Sequence, residues 1–173
     1  MSVLPRPKVT SVEWQEDALD WAATWGLKTS DVEDVIKQPY DMAVDPRSGE
    51  AGHEIMRYRR GDVIVVAGLR NPKIPVVLYV TTVTGIEAKK KAGGRSGSTA
   101  PRTFTDMRRR IEKLGYTIEV LNQGQLGVFN ENGHKVYVMP STPSEYRSLL
   151  NSWMGFLRAH REDADVHLVK NKD

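Results

Sequence analysis

Between Trp14 and Trp25 the apolar residues Ala18, Trp21, Ala22 and Trp25 recur at helical spacing, which predicts a first helix with a single inward face. Gly26 follows where a left-handed C-terminal cap belongs. Ser30 opens a second helix. Ser30 and Glu33 read as a capping box, with Asp31, Glu33 and Asp34 near the positive end of the dipole. Val32, Val35 and Ile36 point inward, and Pro39 stops the helix. The period then changes. Met42–Val44 predicts a short edge strand, and Asp45-Pro46-Arg47-Ser48-Gly49 a loop. His53–Arg59, Val63–Leu69 and Val76–Val83 follow, joined by short turns at Arg60-Gly61-Asp62 and Asn71-Pro72-Lys73, as an antiparallel meander.

From residue 87 the pattern lapses. Three lysines and the stretch Ala92-Gly93-Gly94-Arg95-Ser96-Gly97-Ser98-Thr99-Ala100-Pro101 have linker composition. Periodicity resumes with a helix at Thr105–Leu114, its face formed by Met107, Ile111 and Leu114, ending at Gly115. Strands are expected at Tyr116–Leu121, Leu126–Asn130 and Lys135–Met139, the last two joined by a hairpin carrying Asn132-Gly133. A long helix runs from Ser144 to about Arg161, with Pro143 near its start and a polar, frayed tail from Glu162. The fold class expected is α+β: two small modules, each a three-stranded antiparallel meander packed with two helices. Their bounds are 1–86, a basic flexible linker 87–102, and 103–173. The tryptophans and Phe156 are assigned to cores, with Trp14 nearest the surface.

Charge sharpens this picture. The chain carries 25 Lys/Arg against 22 Asp/Glu, yet residues 87–113 alone hold nine Lys/Arg against three acids. The cations of this join are Lys89, Lys90, Lys91, Arg95, Arg102, Arg108, Arg109, Arg110 and Lys113. Mobile cations close together suit a phosphate backbone, because each neutralised phosphate releases counterions. The competing reading is a solvated linker beside an ordinary exposed helix face. Arg57, Arg59 and Arg60 form a second cluster, and Arg57 and Arg59 share one face of their strand.

Other classes recede. Without cysteines there is no disulfide framework or thiolate metal site, and a reducing cytoplasm is the expected location. His53, His134, His160 and His167 are scattered, so no metal or other cofactor is expected. No apolar run is long enough to span a bilayer, and residues 1–10 lack the apolar core of a secretory signal. Ala22, Gly26 and Val32 fit a helix-turn-helix spacing, but the would-be recognition helix carries Asp31, Glu33 and Asp34 against Lys37 and would be repelled by DNA.

Residues 102–160 resemble the HicA-type toxins, small mRNA-interfering proteins with a double-stranded-RNA-binding-like fold. The resemblance rests on the basic helix ending in Lys113-Leu114-Gly115-Tyr116, Gly124, the hairpin at Asn132-Gly133, and Val136 to Pro140 before the last helix. In that family a catalytic histidine follows a glycine in the second strand. Here the stretch reads Gln123-Gly124-Gln125-Leu126-Gly127, which implies a degenerate site. Residues 12–84 resemble the BrnT branch of the RelE-like toxins through Glu13-Trp14, Trp25-Gly26-Leu27, Gln38-Pro39 and Arg57-Tyr58-Arg59-Arg60-Gly61-Asp62. The last strand of this module offers no basic residue.

Together these point to a nucleic-acid-binding, toxin-like protein of phage or bacterial type, with RNA favoured over DNA. An antitoxin or host protein is the other partner class. Two alternatives follow. One is an active endoribonuclease, with His53 and Arg57 supplying the proton transfer and phosphate contact that cleavage needs. The other is a protein-interaction module that inhibits a host protein.

Overall fold

The computed structural model describes residues 8–84, 86, 100–122, 124–141 and 146–169. Lys89, Lys90, Lys91, Arg95, Pro143 and Ser144 lie outside the described residues. The fold is α+β, and the chain divides into two compact units. Among the described residues the first holds 8–21, 29–86 and 166–169, and the second holds 22–28 and 100–165.

The first unit is built on a six-stranded mixed sheet in the order β2-β3-β4-β5-β1-β9. Its centre is the expected meander: β3 (Ile55–Arg60), β4 (Val63–Gly68) and β5 (Val76–Thr82), all antiparallel. The β-branched run of β4 is buried from Ile64 through Gly68, the composition of a strand covered on both faces. β2 (Asp41–Val44) is the edge strand the sequence indicates, pairing Met42 with Tyr58. The segment after it contains one helical turn, α3 (Ser48–Ala51), rather than a plain loop.

With β2 the meander has four strands, and two further strands that local pattern did not show widen it to six. Glu13–Gln15 is not the start of a helix but a strand, β1, pairing Glu13 with Val76 in parallel. Trp14 is fully buried there, not near the surface. The alternation of buried Val12 and Trp14 with half-buried Glu13 and Gln15 is a strand period. It is masked in the sequence because Trp14 also stands four and seven residues before Ala18 and Trp21. Residues 167–169 of the tail are likewise not frayed: β9 (His167–Val169) pairs in parallel with β1, Trp14 opposite Leu168.

Helix α1 therefore begins at Glu16 and ends at Thr24. Its inward side is Ala18, Leu19, Ala22 and Ala23, while Trp21 and Trp25 are half-buried, so the two tryptophans flank the face expected to contain them. Trp21 meets Tyr79 edge to face, with centroids 5.3 Å apart. Helix α2 (Thr29–Lys37) starts one residue before the expected cap at Ser30 and buries Val32, Val35 and Ile36.

The second unit follows the expected order of helix, three strands, helix. Its elements are α4 (Phe104–Lys113), β6 (Thr117–Asn122), β7 (Gln125–Phe129), β8 (Lys135–Pro140) and α5 (Tyr146–Asp163). The strands form an antiparallel meander, β6-β7-β8. One hydrophobic cluster joins Met107, Ile111 and Leu114 of the first helix to Ile118, Leu126, Val128 and Met139 of the sheet. Leu149, Trp153, Phe156 and Leu157 of α5 complete it. Ala23 enters the same cluster, which anchors residues 22–28 in this unit. Gly155 sits mid-helix, where glycine ordinarily costs about 1 kcal/mol relative to alanine. The reason is contact: a β-carbon there would collide with the Tyr137 ring and hydroxyl.

Candidate nucleic-acid interface

Helix α4 presents Arg108, Arg109, Arg110 and Lys113 of the basic join, and Arg102 precedes it. Thr103 caps it, its hydroxyl accepting from the Asp106 amide at 3.0 Å. Burying Met107 and Ile111 fixes the rotation of the helix and distributes the three consecutive arginines around the rest of its surface. Each then finds a carboxylate on the same helix. Arg108 reaches Glu112 at 3.2 Å, while Arg109 and Arg110 both reach Asp106 at 2.8 Å, one on each oxygen. Arg110 also lies over the Trp153 ring, 5.7 Å from its centroid. Arg109 is 71% exposed and Arg110 19%. Two guanidinium groups on one carboxylate leave a net positive charge, held in place by the pairing.

Beside this helix lies a cavity of about 440 Å³, lined by Trp25, Ala100, Arg102, Thr103, Asp106, Arg109 and Arg110. Arg102 is exposed and makes no ion pair among the described residues. Trp25 reaches the cavity because α1 terminates in a left-handed turn. Gly26 has φ +68°, its amide donates to Ala23 O at 3.0 Å, and the Leu27 amide donates to Ala22 O at 2.8 Å. The turn packs under the aliphatic stem of Lys113. Lys28 pairs with Glu131 at 3.1 Å. Counting described residues, this unit carries ten Lys/Arg against seven Asp/Glu; the first carries eight against twelve.

In the first unit the strand geometry is as expected: Arg57 and Arg59 are exposed on one face of β3 and Tyr58 is buried on the other. Burial, helped by Glu54, pushes the Tyr58 hydroxyl above its usual range. Arg57 is drawn to Asp45 at 3.4 Å. That carboxylate, 2% exposed, also accepts from the Arg47 amide at 2.9 Å and from Arg47 Nε at 2.8 Å. The Arg47 hydrogen bonds hold the Asp45 carboxyl well below the usual carboxylate range, against the opposing effect of burial. Arg59 Nε donates to Gly61 O at 3.3 Å. Arg60 turns away, over the Tyr40 ring at 5.1 Å and towards Gln38.

His53 is placed apart from this network. Its Nδ1 donates to the Ala51 carbonyl at 3.0 Å, and its Nε2 lies over Gly68, 3.0 Å from where a β-carbon would stand. No hydrogen bond joins it to Arg57 among the described residues. His134 is exposed in its hairpin. In the helix-turn-helix spacing, Ala22 and Gly26 belong to the second unit and Val32 to the first.

Another polar cluster is buried in the second unit. The Tyr116 hydroxyl donates to Asp163 at 2.9 Å and lies 2.7 Å from His160 Nδ1, which donates to it. Asn130 Nδ2 donates to the other Asp163 oxygen at 2.7 Å. This network ties the end of α5 to the start of β6 and to the β7–β8 hairpin. Burial, and then the Asp163 hydrogen bond, pushes the Tyr116 hydroxyl far above its ordinary range.

The cavity's contribution from Trp25 was not legible as a site, because at helical spacing a tryptophan reads as core. Its position immediately before the terminating Gly26 is the signal that separates it from the inward face. Among the described residues no group of three or more His, Asp or Glu side chains is disposed to hold a metal, and no helix is long and apolar enough to cross a membrane. No family model, no curated protein and no solved structure matches this chain.

Proposed function

We propose that this protein binds RNA through the cations on and just before α4, with Arg102, Arg108, Arg109, Arg110 and Lys113 meeting phosphates. The observation that carries the reading is the convergence of Arg102, Arg109 and Arg110 on one cavity. Lys89, Lys90 and Lys91 add positive charge just upstream in the sequence. The Arg108–Glu112 pair is exposed, and such pairs are worth roughly 0–1 kcal/mol, so a phosphate displaces Glu112 at little cost. The order of helix, three antiparallel strands and helix is in keeping with the RNA-binding-like fold that the toxin resemblance implies. The function is one of occupancy rather than cleavage, since His53 and Arg57 are engaged at separate places.

The test is fluorescence anisotropy with labelled RNA and DNA of the same sequence across a salt series. Affinity falls log-linearly with salt, and each lost phosphate contact lowers the slope by about 0.7–0.9. A combined Arg102→Glu, Arg109→Glu and Lys113→Glu variant loses most binding at moderate salt. Binding equal to the parent's overturns the proposal.

A further inference from the structure

The cavity beside α4 is lined by chemically different groups. Arg102, Arg109 and Arg110 supply cations and Asp106 a carboxylate, whereas Trp25 and Ala100 supply an aromatic and an apolar surface. The Trp25 Nε1 atom is buried, so carbon surface is what the indole ring offers to the cavity. A phosphate backbone alone uses only the cations. The space, of about 440 Å³, opens widely to solvent, so a segment of a longer chain can enter it. In a duplex the base faces are covered by their neighbours and cannot meet an indole. An unpaired base can stack on one while its phosphate turns to adjacent arginines.

We infer that this cavity takes one unpaired nucleotide of an RNA chain, its base against Trp25 and Ala100 and its phosphate on Arg102 and Arg109. This rests on the RNA-binding reading and specifies it: the preferred substrate is a strand end, a bulge or a loop, not a continuous duplex. Arg109 is suited to the phosphate because it is largely exposed, with Asp106 2.8 Å from its guanidinium. Arg110 is less exposed and lies over Trp153.

The experiment compares a blunt duplex of about 16 base pairs, long enough for a double-stranded-RNA-binding-type contact, with the same duplex carrying a short single-stranded overhang, and with a hairpin presenting the same bases in its loop. The full chain binds the overhang and loop RNAs roughly tenfold more tightly than the blunt duplex, the scale expected for one stacked base. Trp25→Ala abolishes that preference and Trp25→Phe retains it. Preference for the overhang alone assigns a strand end; preference for both assigns any unpaired nucleotide. If Trp25→Ala keeps the parent's preference while Arg102→Glu weakens every RNA alike, the inference falls and the RNA-binding reading stands. If no RNA binds at low salt, both fall. Photo-crosslinking of a 4-thiouridine overhang to the parent protein is independent of the variants' folding. Crosslinks at Trp25 or Ala100 support the site, and crosslinks confined to other segments overturn it.

Discussion

The aliphatic stem of Lys113 lies against Gly26 so closely that a β-carbon on the glycine would stand 2.8 Å from Lys113 Cδ and 3.2 Å from its Cβ. The same glycine holds φ +68°, in the left-handed region. The turn that carries Trp25 to the cavity thus depends on this residue twice, for conformation and for space.

Gly26→Ala is expected to destabilise the protein by about 1–2 kcal/mol from the backbone alone, with the Lys113 contact adding to it. Thermal unfolding followed by circular dichroism should show a midpoint several degrees lower. A Lys113→Ala background should recover the part due to the Cδ contact and leave the backbone part. An unchanged midpoint for Gly26→Ala would contradict the close packing of this turn on α4.

Asp106 pairs with two arginines and sits in the first turn of its helix. Asp106→Asn removes a favourable dipole interaction worth about 0.3–1 kcal/mol, so stability should fall slightly. RNA binding should move the other way, with tighter binding at low salt and a salt slope steeper by about one contact, because a guanidinium is released. Anisotropy at low and moderate salt measures both. Weaker binding would show instead that Asp106 is needed to hold the arginines in place.

Asp45 makes the first unit sensitive to acid. Its folded carboxyl titrates below the ordinary range, so the unfolded chain takes up the proton first as pH falls. The stability it contributes is fully present above the unfolded value of about 4 and is lost as pH drops below it. Unfolding midpoints measured between about pH 7 and pH 3 should therefore fall steeply at the acid end for the parent. Asp45→Asn should be less stable at neutral pH and flatter towards acid. A parallel acid profile would place the sensitivity on other carboxylates.

Tyr116 gives the opposite signature. Its hydroxyl is held in the neutral form, so the folded protein keeps a proton that the unfolded chain releases near pH 10. Stability from this group is present below that value and declines above it. Tyr116→Phe removes the hydrogen bonds to Asp163 and His160 and should cost about 1–3 kcal/mol at pH 8, measured by urea unfolding. Its further loss of stability on moving above pH 10 should be smaller than the parent's.

The amino-acid sequence was sufficient to determine which local conformation most segments adopt. The β-branched Val63–Gly68 run and the Met107/Ile111 face each state a period strongly enough to specify backbone and inward side. Charge was equally plain, since the cations at 102–113 lie close together in the chain. Periodicity describes a residue's own neighbourhood, however, and is silent on partners. Parallel pairing sets Glu13 opposite both Val76 and His167, and such distant matches are decided by which buried surfaces fit. That is why Trp14 lies in a buried strand and the tail closes the sheet. Tertiary structure also brought Trp25 to the cavity that Arg102, Arg109 and Arg110 line. Those relationships are distances between segments far apart in the chain, and the chain expresses them only when folded.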